Sequence, residues 1–289
     1  MLSRIRNKLL DSAWLSMGYA SFNQLPEGIS FAGGQYPGDV ELLKDFTYID
    51  NQGTRHTRQE IFDAIFDAIR NARELILLDM FLFNDFQGNQ REETRKLSSE
   101  LTNLLIQQKE QFPDLTVILI TDPINTMYGG ISSEPFGELC AAGIQLVTTD
   151  LDKLRDSNPM YSFFWRLLIR PFGISPGGIW PSPFGDDRIP FRSYLKLLNF
   201  KANHRKTVIT DNGEDWIGIV ATGNPHDASS AHRNVAIKFN GPAVRDLYTS
   251  ELAVLAISAA AKPDIHINQG LERFGAKPKL DNDVSVQVV

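Results

Sequence analysis

The chain has 289 residues, 42% of them hydrophobic, which is enough to bury an ordinary core in one large domain or two small ones. Its formal net charge of −6 and pI near 5.4 argue against broad attraction to nucleic acid, while leaving room for a local basic patch that holds a phosphate. A single cysteine, Cys140, excludes an internal disulfide and a cysteine metal cluster, and is expected as a buried thiol.

Residues 1–39 read as an N-terminal extension. Arg4, Arg6 and Lys8 precede Leu9 and Leu10, and Asp11 interrupts what would otherwise resemble a signal peptide. A short amphipathic helix is expected there, packed on the domain or resting at a lipid surface. No apolar run approaches the roughly 18 residues of a membrane-spanning helix.

The main domain, residues 40–262, opens after a loop at Gly33-Gly34 and Pro37-Gly38. Glu41 to Asp50 is strand-like, with Asn51-Gln52-Gly53 as its turn. Thr57 is the expected cap of a helix carrying Ile61, Phe62, Ile65, Phe66 and Ile69 at helical spacing. The apolar run Leu75 to Phe83 then reads as a buried strand. A second cycle follows: a polar helix from about Arg91 to Gln111, a strand from Thr116 to Thr121, a helix near Glu134 to Ala142 and a strand from Ile144 to Thr149. This alternation predicts an α/β fold, a mixed central sheet flanked by helices.

Pro159 to Pro183 breaks the rhythm. Tyr161, Phe163, Phe164, Trp165, Leu167, Leu168, Ile169, Phe172 and Trp180 are interleaved there with Arg166 and Arg170. Rings with arginines suit a lipid interface, and a core helix followed by a Gly/Pro-rich loop is the alternative. Near the other end, a helix is expected around Pro242 to Ala261. Residues 263–289 read as a linker ending in the strand-like run Val284 to Val289, the opening of a second half with an unpaired edge.

The chemistry lies between residues 201 and 221. Lys-Ala-Asn-His-Arg-Lys-Thr-Val-Ile-Thr-Asp leads to a turn at Asn212-Gly213 and an apolar strand from Trp216 to Ala221, which is a β-hairpin signature. On a strand, His204 and Lys206 project to one side and can meet one phosphate together. Asp211, an odd number of positions on, falls at the strand's end facing the other way, which fits a structural or orienting role. Chance alone would give a His-x-Lys-x4-Asp pattern in about 2% of such chains. The flanking residues Asn199 to Asn203, and Ala221-Thr222-Gly223-Asn224-Pro225 with His226 to Ser230, raise it above chance.

With these residues the chain resembles the phospholipase D superfamily, and within it the cardiolipin-synthase-like bacterial branch. The resemblance is strong over residues 199–241 and weak from Val40 to Ser258. It implies a phospholipase D-like α/β/α sandwich and a site needing no metal or other cofactor. It also implies that His204 attacks phosphorus to form a phosphohistidine or protonates the leaving oxygen, that Lys206 neutralises the non-bridging oxygens, that Asp211 completes the motif, and that Thr222 and Asn224 hydrogen-bond the phosphate.

The departures are specific. The usual Gly-Ser-x-Asn appears as Ala221-Thr222-Gly223-Asn224, and the glutamate that pairs with the histidine would fall near Asn234-Val235-Ala236, where there is no carboxylate; Asp227 is the substitute at hand. Family sites combine two motifs, yet no second His-x-Lys occurs here, so a homodimer or a missing second half is implied. His226 and His232 lack the spacing of a zinc site and are expected to be solvated or bonded to loops. The resulting expectation is hydrolysis or phosphatidyl transfer on a phospholipid, in the cytoplasm and peripheral to the inner membrane face. A nuclease of the same superfamily and a noncatalytic membrane-associated protein are the alternatives.

Overall fold

The computed structural model describes residues 32–86, 94–212, 215–230, 232–258 and 284–289. The expected N-terminal helix and most of the linker lie outside them.

The chain enters through β1 (Tyr36–Pro37), then pairs β2 (Val40–Ile49) with β3 (Arg55–Gln59) around a turn whose Gly53 takes φ 81°. α1 (Glu60–Asn71) buries Ile61, Phe62, Ile65, Phe66 and Ile69, the stripe its spacing predicts. Thr57 does not cap it. That residue sits in β3 opposite Thr47, and the helix start is served by Asp45, whose Oδ1 accepts from the Ile61 amide at 2.9 Å. β3 escaped the sequence reading because Arg-His-Thr-Arg-Gln is a polar edge strand with no alternation to read.

β4 (Leu75–Met80) is wholly buried and runs parallel to β5 (Thr116–Thr121), which in turn pairs with β6 (Gln145–Thr148). Between them lie α2 (Leu97–Gln111) and α3 (Glu134–Ala141). α2 begins at Leu97, later than expected, since residues 94–96 are not helical. Cys140 is exposed, a correction to the buried thiol: α3 turns Phe136 and Leu139 inward, and the next position faces out.

α4 (Pro159–Phe164) continues without a break through a wider turn at Trp165–Ile169 and a tighter one at Arg170–Phe172. A small sheet of β7 (Trp180–Pro181) and β8 (Arg188–Ile189) precedes α5 (Phe191–Leu197). The expected hairpin is present as β9 (Lys206–Asp211) and β10 (Trp216–Ala221), followed by β11 (Asn234–Asn240) and α6 (Ala243–Ser258).

The main sheet has eight strands in the order β3-β2-β11-β10-β9-β4-β5-β6, with parallel pairing confined to β4-β5-β6. Alternating side chains feed two cores. On one face Ile76, Leu78, Val208 and Ile219 pack on α1, α2 and α3. On the other, Leu77, Ile209, Trp216 and Phe239 pack on α6. Gly218 permits that second packing, because a Cβ there would come within 2.8 Å of the Phe239 ring. Helices on both faces of a mixed sheet are the α/β architecture the alternation predicted.

The run at Val284 is paired, which corrects the unpaired edge expected for it. β12 (Ser285–Val286) lies antiparallel to β1, and the Gly33 amide donates to the Val288 carbonyl at 2.7 Å. Gly and Pro had disguised β1 as a loop.

Candidate active site

Four segments reach one edge of the sheet: the end of β4, the end of β5, the start of β9 and the end of β10. Lys206 opens β9 opposite Met80, the last residue of β4. His204 stands two residues earlier in the loop leading into β9, so its orientation is set by the loop rather than by strand alternation.

That loop is pinned at nearly every residue. Lys201 Nζ lies 2.6 Å from the buried Asp156 carboxylate and donates to the Leu154 carbonyl at 2.8 Å. The Asn203 amide donates to Asp122 Oδ2 at 2.8 Å, and its side-chain Nδ2 donates to both oxygens of Asp79, at 2.9 and 2.8 Å, and to Thr149 Oγ1 at 3.0 Å. The Arg205 guanidinium meets Glu251 at 3.2 Å and Ser250 on α6, while the Arg205 carbonyl accepts from the Phe81 amide at 3.0 Å. A loop held this way positions a side chain almost as well as a strand does.

Phe81 organises the two chemical groups. Its ring centroid lies 4.6 Å from the His204 imidazole and 5.0 Å from Lys206 Nζ. Lys206 also donates to the His204 carbonyl at 2.8 Å, so imidazole and ammonium share one aromatic wall. Burial, then the charge on Lys206, lower the His204 pKa below the usual histidine value, which keeps its nitrogen lone pair free near neutrality. Burial also pushes Lys206 down to about 8. Lys206 therefore remains mostly cationic at pH 7.

Beneath them lies a buried acidic pair that the sequence reading missed. Asp79 and Glu251 are both fully buried and their carboxyls meet in the interior. Burial, and next the neighbouring Glu251, push Asp79 well above the usual carboxylate range, so Asp79 is the member that keeps a proton. Glu251 instead accepts from Thr207 Oγ1 at 2.8 Å and faces Arg205. A signal existed: Asp79 is the one charge in the apolar run from Leu75 to Phe83.

The remaining candidates separate. Asn224 reaches the same edge, and its Oδ1 accepts from the Leu82 amide at 3.0 Å, which orients the amide nitrogen, the end that donates to a phosphate. The Thr222 hydroxyl is engaged with the neighbouring strand, donating toward Asn234 and the Val235 carbonyl at 3.2 Å and accepting from the Val235 amide at 3.0 Å. Asp211 stands at the far end of β9, five residues and roughly 17 Å from Lys206. There its carboxylate accepts from the Arg73, Glu74 and Leu75 amides at 2.9 to 3.1 Å. Asp227 accepts from the Ser98 amide and hydroxyl at the start of α2. His226 Nε2 lies 2.6 Å from the Phe86 carbonyl.

A cavity of about 410 Å³ is lined chiefly by Phe81, Leu82, Phe86, Ile124, Pro183 and Phe184. Phe81 is thus common to the cavity and to the His204–Lys206 site. Among the described residues no cluster of three histidine, cysteine, aspartate or glutamate side chains is placed to hold a metal ion, and no helix is long and apolar enough to cross a membrane.

No protein-family model and no curated protein matches the chain. Solved structures do resemble it in arrangement. Nuc from Salmonella typhimurium, a phospholipase D family member, aligns at 13% identity over 77% of this chain and 97% of its own, with a TM-score of 0.40. NucT from Helicobacter pylori aligns at 10% identity over 76% and 99%, with a TM-score of 0.41. Phosphatidylserine synthase from Haemophilus influenzae Rd KW20 aligns at 10% identity over 73% of this chain and 36% of its own, with a TM-score of 0.37. Identities this low leave every residue's part to be argued from this chain.

Proposed function

We propose that the chain is a phospholipase D-like enzyme that hydrolyses or transfers a phospholipid phosphodiester through a phosphohistidine on His204. The observation that carries this reading is the convergence of an exposed, neutral imidazole and a buried lysine's ammonium on the Phe81 ring at one sheet edge. An imidazole nitrogen of His204 gives its lone pair to phosphorus while the ester P–O bond breaks. Lys206, with the Asn224 amide nitrogen beside it, balances the charge on the non-bridging oxygens. Water or an alcohol then attacks phosphorus, handing its proton to the group that protonated the leaving oxygen, and the P–N electron pair returns to the ring.

The leaving oxygen needs a proton, and in this reading a second histidine supplies it. Among the described residues, His56 and His226 are engaged elsewhere, with Asp50 at 2.7 Å and with the Phe86 carbonyl. A second copy of the chain fills the role if its own His204 enters the step protonated while the attacking one is neutral. Support comes from the α6 face of the sheet, where α6 covers Trp216 and Phe239 but leaves Leu42, Val220, Val235 and Ile237 exposed. Val220 pairs with Thr207, next to Lys206, so whatever seats on this face adjoins the site.

A phospholipid is favoured over nucleic acid by the apolar cavity beside Phe81 and by the acidic balance of the chain. The test is hydrolysis of phosphatidylglycerol, bis(p-nitrophenyl) phosphate and DNA over a protein concentration series. Faster than linear growth of phosphatidylglycerol turnover with concentration supports the reading. DNA cleavage without lipid turnover moves the substrate to nucleic acid, and no turnover of any substrate overturns the enzyme.

A further inference from the structure

The continuous helical segment Met160–Phe172 is turned inside out for a helix on a water-facing surface. Its inner face carries a charge: the Arg166 guanidinium meets Asp156 at 2.8 Å, Lys201 meets the same carboxylate at 2.6 Å, and all three side chains are nearly buried. Trp165 packs inward with them, under the Lys196 ammonium. The outer face carries Met160, Phe164, Leu167, Leu168 and Phe172, every one of them at least half exposed. Their spacing of four, three, one and four residues makes one stripe.

The apolar surface continues onto the next segment. Arg192 Nε donates to the Gly173 carbonyl and Tyr161 donates to the Leu195 carbonyl at 2.8 Å, tying α5 to the helical segment. Beside that seam lie Ile179, Trp180 and Phe191, all exposed, with the last two rings 5.4 Å apart. Contiguous exposed apolar surface of this kind marks a partner rather than scattered surface residues.

Charge identifies the partner. From Asp152 to Lys201 the chain carries eight basic and four acidic residues, although the whole chain is net −6. Two of those acids, Asp152 and Asp156, are turned inward onto Lys196, Arg170, Arg166 and Lys201. Arg170, paired with Asp152, and Arg188, next in sequence to the exposed Asp186 and Asp187, are exposed in this segment, as is Arg155. Apolar side chains flanked by arginines match a bilayer interface bearing anionic headgroups.

We propose that Met160–Phe172, with Ile179, Trp180 and Phe191, docks the protein on an anionic phospholipid surface. The placement brings the site to the bilayer. Phe200 is exposed at φ 52° four residues before His204, and Phe184 from the intervening segment lines the cavity beside Phe81. The docking is independent of turnover, since it uses none of the residues that contact phosphate.

The experiment is co-sedimentation of the full chain with vesicles of phosphatidylcholine alone or mixed with phosphatidylglycerol, using wild type, Leu168→Asp/Phe172→Asp and, as an exposed apolar control elsewhere, Ile49→Asp. Wild type and Ile49→Asp are expected to bind the mixed vesicles and to lose binding in high salt, with the double variant weaker by roughly tenfold or more. Wild-type protein left in the supernatant overturns the proposal, as does a double variant that binds like wild type. So does a double variant that alters self-association while the wild type ignores vesicles, because the surface then serves a second copy. Bis(p-nitrophenyl) phosphate hydrolysis by the double variant should match wild type, and His204→Ala should still bind vesicles, which separates this docking from the catalytic reading.

Discussion

Lys206 bends back so that its ammonium donates to the carbonyl of His204, 2.8 Å away. The group that neutralises phosphate charge is thereby anchored to the backbone of the residue that attacks. Losing the Lys206 charge should remove stabilisation that grows in the transition state, so Lys206→Met is expected to lower kcat by about a hundredfold or more. The pH dependence carries an opposite sign for stability. Folded Lys206 titrates near 8 against 10.5 in the unfolded chain, so between those values the unfolded state binds more protons and stability rises with pH. Wild type should lose activity above about pH 8 while becoming harder to unfold by urea, and Lys206→Met should lack that gain. A rate that stays flat through this window would show that the ammonium is not needed.

Asp211 is the motif residue with a structural task. Its carboxylate gathers three consecutive backbone amides at the start of β4, the strand that carries Asp79 and leads to Phe81. Asp211→Ala leaves those donors short of a charged acceptor and should cost about 2–4 kcal/mol of stability in urea denaturation. Measured well below its melting temperature, the variant should retain kcat within a few-fold. A folded variant with no activity would move Asp211 into the chemistry.

The buried pair makes an asymmetric prediction. Folded Asp79 holds its proton above the unfolded value of 3.8, so its contribution to stability falls as pH rises from there through the raised value. Asp79→Asn mimics the protonated acid and should remove that fall, leaving the variant at least as stable as wild type at pH 7. Glu251→Gln deprives Arg205 of its charge partner and should cost roughly 3 kcal/mol, the scale for breaking a buried pair. Urea titrations at pH 5 and 7 measure both. Equal losses from the two substitutions would mean that Asp79 is ionised.

Phe184 tests the cavity. Phe184→Asp should raise KM for long-chain phosphatidylglycerol severalfold and leave bis(p-nitrophenyl) phosphate hydrolysis unchanged, since only the lipid needs an apolar wall. A parallel loss on both substrates would place Phe184 in the phosphate site instead.

How much of this was legible beforehand follows from where the signal is local. Strands β4, β5 and β10 are largely apolar runs between turn residues, and β9 is marked by the turn that joins it to β10, so the strands and the hairpin were readable. The His204–Lys206 pairing was readable as spacing, but its cause differs: His204 lies before the strand, and Phe81, more than a hundred residues away, brings the two groups together. β3 and β1 were hidden because one is polar and the other is a Gly/Pro-rich segment whose partner, β12, lies about 250 residues away. Asp79 and Glu251 come from β4 and α6, and no spacing rule connects elements so far apart in sequence.

The most direct test of the central claim is to quench the full chain at high protein concentration with phosphate-labelled phosphatidylglycerol and map the label. The account predicts a label stable in base, released by acid, carried on His204, and absent from His204→Ala together with turnover. Turnover by wild type with no label on His204, or undiminished turnover by His204→Ala, would contradict it.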